Sequence, residues 1–600
     1  MIDSNPIELC KSPVQLSTQP DNAEMPSNST NAIAHVELVA GGVFVATALT
    51  ACGGSGAGGT SSSNNSNSDP TNGSFTIPVA GYAFTTPQTP QQASHFLQQA
   101  SFAASDDDIA GLMSTGYAAW IEKEFNKPIS PSSWDWLTSN GYVEPDPPKV
   151  FDGLNRAIWA RLITTPDVLR QRIALFLSEL FPIDEDSVIG LDWPQYVMAS
   201  WWDLLCENAF GNYRNLLEAM TLNVAMGLFL NTGGNLKEDD ATGRRPDENF
   251  AREVLQLFTI GLYNLNQDGT PKLGANGQPI ESYTQDTITQ LAHVFTGWSI
   301  PRQPSFPPTY TKLPMVFDPN QHSMLEVSFL GTTIPANTDG MTALHMALDT
   351  IFQHPNVGPF IGRQLIQRLV TSNPSPAYVA RVAAAFNNNG LGVRGDMRAL
   401  IAAVLLDDEA RGDASLLSPS FGKLREPILR FLQWARTFPL TPRPNEQWDV
   451  ITDTDSPSFA LGQEALRARS VFNFFRPGYT PPNSAIATKG LVAPEFQIVT
   501  EASVAGYMNF MQTVISEGIG AQPSYNSSDT GKEMSIAAAP QALVARLNLL
   551  LCAGQMSTVT ETTISNAIAT MPATSTSDLR NRVWGAVFLT MSCPDYLIQK

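Results

Sequence analysis

The sequence predicts a mostly α fold: a large multi-helix domain with a small β-hairpin excursion and long proline-rich loops. Three observations predict it. Apolar residues recur at three- and four-residue spacing along most of the chain after about residue 94. Helix start signals stand ahead of several of these stretches. Strand patterns are few, and turn signals break the clearest of them into short pieces.

Taken in order, the helical periodicity covers 106–125, 166–181, 194–209, 211–230, 248–262, 284–298 and 340–353. It resumes at 357–371, 376–387, 395–407, 421–436, 497–515, 539–553 and 577–591. Ser105-Asp106-Asp107-Asp108 opens the first of these, because a Ser cap followed by acids satisfies free backbone N–H groups. Thr165-Pro166-Asp167 opens the second, with Pro expected in its first turn. His354-Pro355 reads as a helix stop. After Gly261, Asp268-Gly269 and Asn276-Gly277 divide LYNLNQDGTPKLGANGQPIESY into a hairpin excursion. Proline-rich stretches at 301–319, 439–445 and 476–483 read as long loops. No repeat or later linker appears, so 76–600 is expected to be one helical domain, alternatively two lobes of it.

Composition bounds the rest. With 600 residues and 43% hydrophobic content there is ample material for a core and no case for wholesale disorder. The 56 acidic against 36 basic residues give a net charge of −20, which leaves no footprint for nucleic-acid binding.

The N-terminal region reads as an address. Leu38 to Leu49 is apolar but for one Thr, too short to cross a bilayer and the right size for a signal-peptide core. Leu49-Thr50-Ala51-Cys52 resembles the lipobox of bacterial lipoproteins. That resemblance implies a signal region over 1–51, lipidation of Cys52, and a chain held at a membrane through a lipid anchor. Gly53, not Asp, follows the Cys, which implies the outer membrane, on its periplasmic face or at the cell surface. The segment before the run departs from the pattern, since Lys11 is its only basic residue. A start codon upstream of the true one, or a degenerate signal, accounts for that; the alternative is an apolar stretch in a tail. Residues 52–75 are rich in Gly, Ser and Asn and read as a flexible tether. Beyond Cys10 and Cys52 the chain has Cys206, Cys552 and Cys593. They allow one disulfide, for which Cys552 and Cys593 are the candidates, or three buried thiols.

The sharpest chemical pattern is Asp247 to Phe258. At 100° per residue Asn249, Arg252, Glu253 and Gln256 share one face, while Phe250, Val254, Leu257 and Phe258 take the other. These four polar residues are the candidate ligand-binding set. The alternative is a solvated face with an i,i+4 Glu248–Arg252 pair worth a few tenths of a kcal/mol. Asp286, Gln290 and His293 follow on the next helix, and Asp318 and His322 on the loop FDPNQH at 317–322. Glu253, Asp318 and His322 are the catalytic candidates, as acid–base groups. His293, His345 and Asp349 read as structural. Asn264, Asn266 and Asp268 resemble the start of an EF-hand loop, but its twelfth position is Ala275, leaving at most a weak calcium turn; no metal site is expected, and no cofactor is indicated. There is no G-x-S-x-G, H-E-x-x-H, P-loop or strand-borne G-x-G-x-x-G.

Several segments together resemble the bacterial domain-of-unknown-function 1800 family. They are GNYRNLLEAM at 211–220, PDENFAREVLQLFTIGL at 246–262, FTGW at 295–298, FDPNQH at 317–322, the stretch HPNVG to DDEAR at 354–411, KLREP at 423–427, VFNFFRPGYTPP at 471–482 and SCPDYLIQK at 592–600. The resemblance implies a mostly helical exported protein, often encoded beside a sulfatase- or phosphatase-like domain-of-unknown-function 1501 protein, which is then a candidate partner. It supplies no catalytic assignment. Where many members carry W-H-N-H-F, this chain has Leu177-Ser178-Glu179-Leu180-Phe181, so a histidine-based site on that helix is not expected. Two functions follow as expectations: a helical scaffold or binding protein of the envelope, or a hydrolase whose carboxylate/His site joins the 246–262 helix to the 317–322 loop.

Overall fold

A computed structural model describes residues 75–143, 151–301, 308–442, 454–526 and 531–600. The lipobox-like segment, Cys52 and the expected tether up to residue 74 lie outside them. The fold is mostly α-helical, and the described residues belong to one compact unit running from Asn67 to Lys600.

Its central element is the Val168–Leu180 helix, buried on every side but its first residue. It buries polar as well as apolar residues, and the polar ones are partnered: Arg170 donates to the Cys206 carbonyl, Arg172 to the Arg368 carbonyl, and Glu179 pairs with Arg368. Trp159, Trp201, Trp202 and Trp434 are buried in the same core. Each large ring removed from water contributes a few kcal/mol of the hydrophobic free energy that holds the helices together.

Local chemistry sets many of the boundaries. Ser105 and Asp108 form a reciprocal capping box at the start of the Asp106–Thr115 helix. Ser375 caps the Pro376–Asn387 helix, and Asp339 caps Gly340–Gln353, which stops at His354-Pro355. Several expected helices are shorter: 284–298 is helical only over Gln285–Val294, and 421–436 only from Pro427. The 106–125 stretch breaks at Gly116, whose φ is +83°. The 211–230 stretch becomes Tyr213–Thr221 and Val224–Phe229, because the Asn223 side chain caps a new start. The 248–262 stretch is helical only over Asn249–Gln256. Beyond it the Phe258 and Ile260 amides fold back on the carbonyls of Glu253 and Leu255, and the apolar periodicity continues through a turn, not a helix. Pro166 lies outside its helix, which begins at Val168 after Asp167.

Strands are short antiparallel pairs: Trp298–Ser299 with Val316–Phe317, Val327–Phe329 with Thr332–Ile334, Lys423–Leu424 with Ile598–Gln599, and Leu440–Pro442 with Ala521–Pro523. The excursion after Gly261 is a meander of isolated bridges, Tyr263 to Glu281, Leu265 to Pro271 and Leu273 to Pro279. It turns at Gly269 and Gly277, with φ of +76° and +74°. Buried Asn356 clamps its base. Its amide nitrogen donates to the Ile260 and Tyr263 carbonyls at 2.8 Å each, and its amide oxygen accepts from the Leu265 N–H at 2.9 Å.

Candidate functional site

The polar face of the Asn249–Gln256 helix packs against the Gln285–Val294 helix. The Glu248 carboxylate accepts from the Gln285 amide at 2.7 Å, from the Thr289 hydroxyl at 2.7 Å and from Arg252 at 3.1 Å. Arg252 also donates to the Gln285 amide oxygen at 3.2 Å. Gln256 accepts from the Tyr283 hydroxyl at 3.3 Å. Asn249 is half-buried, and its backbone N–H donates to Asp247 at 2.8 Å. Three of these polar residues therefore bond to the neighbouring helix and the turn before it.

Glu253 differs. It is 6% exposed, and its Oε2 has no hydrogen-bond partner among the described residues. Burial pushes its carboxyl up to about 7, only partly opposed by Arg252. The same environment, with Glu253 nearby, pushes the Tyr283 phenol up to about 12.

The 317–322 loop sits at the other end of the Gln285–Val294 helix. His322 is buried, and its Nδ1–H donates to the Thr296 carbonyl at 3.0 Å; burial lowers its pKa, so the ring is neutral at pH 7. Asp318 accepts from the Asn320 N–H at 2.9 Å, an ordinary Asx turn. Gly297 makes the seat for this loop. Its φ is +85°, and a Cβ there would fall 2.9 Å from the Asp318 carbonyl oxygen and 3.1 Å from the His322 nitrogen. Tyr283 precedes, and Thr296 follows, a ten-residue helix. Among the described residues no hydrogen bond joins Glu253 to Asp318 or His322; the charge that acts on Glu253 is that of Arg252, and those that act on His322 are Asp339, Glu238 and Lys237.

Between the two ends lies a group that resembles a triad. His293 Nδ1 is 3.0 Å from Glu238 Oε2 and 3.2 Å from Ser323 Oγ. Both partners meet the same ring nitrogen. A nucleophile–base–acid relay needs them on opposite nitrogens, so His293 cannot pass a proton from Ser323 while held by Glu238. Asn235 is a residue that pattern reading missed. It accepts from the Asp247 N–H at 2.9 Å and donates to the Asp247 and Phe295 carbonyls at 3.3 Å, tying the two helices together from a loop. Among the described residues no three His, Cys, Asp or Glu side chains gather as a metal site. Asp268 instead accepts from the Thr270 N–H and hydroxyl at 2.9 and 2.6 Å.

A separate cavity lies elsewhere. A cleft of about 570 Å³ opens where the turn after Gln256, the Val357–Leu369 helix and the 471–478 loop meet. Its walls are largely apolar, with Leu257, Ile260, Phe360, Phe472 and Phe475. Gln256 lines it; Asn249, Arg252 and Glu253 do not. Gly261 shapes one wall, where a φ of +71° and a Cβ position 2.9 Å from the Phe360 ring exclude a side chain. At the floor Glu179 pairs with Arg368, Oε2 to Nε at 2.6 Å. These groups belong to a fully buried ionic cluster. Lys423 Nζ lies 3.1 Å from Glu426, 3.2 Å from Glu495 and 2.9 Å from the Arg368 carbonyl. Burial and the Glu426 charge hold the Glu179 carboxyl well above the usual range. Lys423, Arg368 and Arg172 hold Glu426 ionised against its own burial. The Leu177-Ser178-Glu179-Leu180-Phe181 segment thus supplies Glu179 and Leu180 to the cleft.

Fold and site together define a many-helix protein with an apolar cleft over a buried charge cluster. The profile of the family described as "Protein of unknown function (DUF1800)" matches residues 95–598, and the chain belongs to that family. No curated protein and no solved structure matches it.

Proposed function

We propose that the protein is an exported, lipid-anchored helical scaffold or binding protein of the bacterial envelope, tethered through Cys52 and 52–75 and facing the periplasm or the cell surface. The observation that carries this reading is the closed network around Glu248. It commits Arg252, and with it Gln285 and Thr289, to helix packing rather than to a substrate. The lipobox-like Leu49 to Cys52 and the acidic composition support the envelope placement. A neighbouring domain-of-unknown-function 1501 protein is the partner this reading favours.

A second reading, an envelope hydrolase, is favoured by one observation. Glu253 titrates at about 7, where a general acid or base works best. Immunoprecipitation from solubilised envelopes, with mass spectrometry of what accompanies the chain, separates the two. The scaffold reading predicts that wild type and Glu253→Gln recover the same partners, and that Cys52→Ser releases the chain from the membrane fraction. A folded Glu253→Gln chain that loses its partners or its cellular effect supports the hydrolase instead. A Cys52→Ser chain that stays membrane-bound overturns the anchor.

A further inference from the structure

The cleft is charged in a way that the protein as a whole is not. In a chain of net charge −20, three arginines line it: Arg363, Arg368 and Arg476. The only carboxyl among its lining residues is Glu179, which is buried against Arg368 and which burial and the Glu426 charge push well above the usual carboxylate range. Arg363 is exposed on the Val357–Leu369 helix and has no acidic partner among the described residues. Arg476, also exposed, stacks over the Phe472 ring at 4.5 Å. Arg368 is 4% exposed and lies 4.5 Å over the Phe475 ring. Its Nε goes to Glu179, and its Nη1 has no hydrogen-bond partner among the described residues. Gln364, 8% exposed, has an unpartnered Nε2 in the same lining.

Buried donors are left unmade only at a cost of about 1–3 kcal/mol each, and both belong to residues that line one cavity. Around them the walls are aliphatic and aromatic. A site of this kind combines guanidinium groups with aliphatic and aromatic surface, within the roughly 300–1,000 Å³ of small-molecule pockets.

We propose that this cleft binds an amphiphilic anion, a single carboxylate or phosphate joined to an acyl or aromatic body. The anionic head lies against Arg363, Arg368 and Arg476, and the body lies along Phe472, Phe475 and Ile260. The site adds a ligand to the scaffold reading without depending on it. Failure of the ligand test leaves the anchoring and partner experiments untouched, and their failure leaves this chemistry untouched.

The test uses the full chain carrying Cys52→Ser, purified without detergent, and two fluorescent probes. One is the aromatic sulfonate 1-anilinonaphthalene-8-sulfonate; the other is the neutral N-phenyl-1-naphthylamine. The sulfonate binds at a single saturable site with a Kd on the order of 10 μM, weakened by salt. The exposed-residue double variant Arg363→Glu/Arg476→Glu keeps its near-ultraviolet circular dichroism, loses at least about tenfold in sulfonate affinity, and changes less than about twofold for the neutral probe. Dodecanoate or dodecyl phosphate, each below its critical micelle concentration, displaces the sulfonate, and the better competitor identifies the head group. Three results overturn the proposal: no saturable sulfonate binding below 1 mM, equal loss of both probes in the double variant, or displacement by neither amphiphile.

Discussion

The Glu248 carboxylate sits 2.7 Å from the Thr289 hydroxyl, and this contact joins the Asn249–Gln256 helix to the one that follows it. The same carboxylate takes Gln285 and Arg252, so one side chain organises most of the polar seam. Consequences for stability, titration and reactivity can be stated from this and the other buried groups.

Lys423 is the only cation whose side chain is wholly buried between Glu426 and Glu495 among the described ion pairs. Lys423→Met leaves two carboxylates without it in a low-dielectric interior. The expected cost is about 3–5 kcal/mol, the usual penalty for breaking a buried pair from one side. Urea denaturation checks it; a loss below about 1 kcal/mol contradicts the cluster.

Glu253 makes stability depend on pH. Its folded carboxyl is raised to about 7, above the unfolded value of about 4.3, so the fold favours the protonated form. That contribution is complete below about pH 4.3 and is lost as pH rises through 7. Glu253→Gln cannot titrate. Between pH 5 and pH 8 wild type should lose about 1–2 kcal/mol relative to the variant, a figure reduced for partial solvent screening. Parallel urea profiles across that range rule the shift out.

Gly297→Ala places a methyl group against the Asp318 carbonyl oxygen and the His322 backbone at a positive φ. It should cost about 2 kcal/mol or more and loosen the 317–323 loop first. Hydrogen exchange reads this out: faster exchange at Ser323, whose N–H donates to Thr296 Oγ1 at 2.9 Å, is expected, and unchanged exchange there argues against the seat.

Cys552 and Cys593 are both free thiols and hydrogen-bond to each other. That contact lowers Cys593 to about 7 and raises Cys552. At pH 8 iodoacetamide should therefore label Cys593, which is half-exposed, well before buried Cys552, with a rate that half-rises near pH 7. Peptide mass mapping that finds equal labelling of the two refutes the assignment.

The helices were legible where local chemistry marks both ends. Gly340–Gln353 and Pro376–Asn387 coincide with their expected spans because Asp339, Ser375 and His354-Pro355 act within a few residues of the boundary. Periodicity overran wherever an apolar run outlasts its hydrogen bonds: Leu257, Phe258 and Ile260 keep helical spacing while their amides turn back. Both glycine turns of the excursion could be read from Asp268-Gly269 and Asn276-Gly277. The two-residue pairing of Trp298 with Phe317 could not, since so short a strand has no period and its partner is remote. Gathering Asn249, Arg252, Glu253 and Gln256 on one helix was a matter of angle. That Glu253 alone would be buried, and that Gln256 alone would reach the cleft, depended on which neighbours arrive, and sequence spacing carries no record of that. The cleft draws on residues as distant as Glu179, Gln256, Arg368 and Arg476, so no local pattern announces it.

The scaffold reading turns on whether the polar seam is a packing device. A double-mutant cycle between Glu248→Ala and Thr289→Val, measured by urea denaturation at low salt, tests that most directly. The account predicts a coupling of about 0.5–1 kcal/mol between the two sites, as for a charge-assisted hydrogen bond at a half-exposed helix interface. Zero coupling, with each single variant as stable as wild type, would mean that the seam is free to serve a ligand and would contradict it.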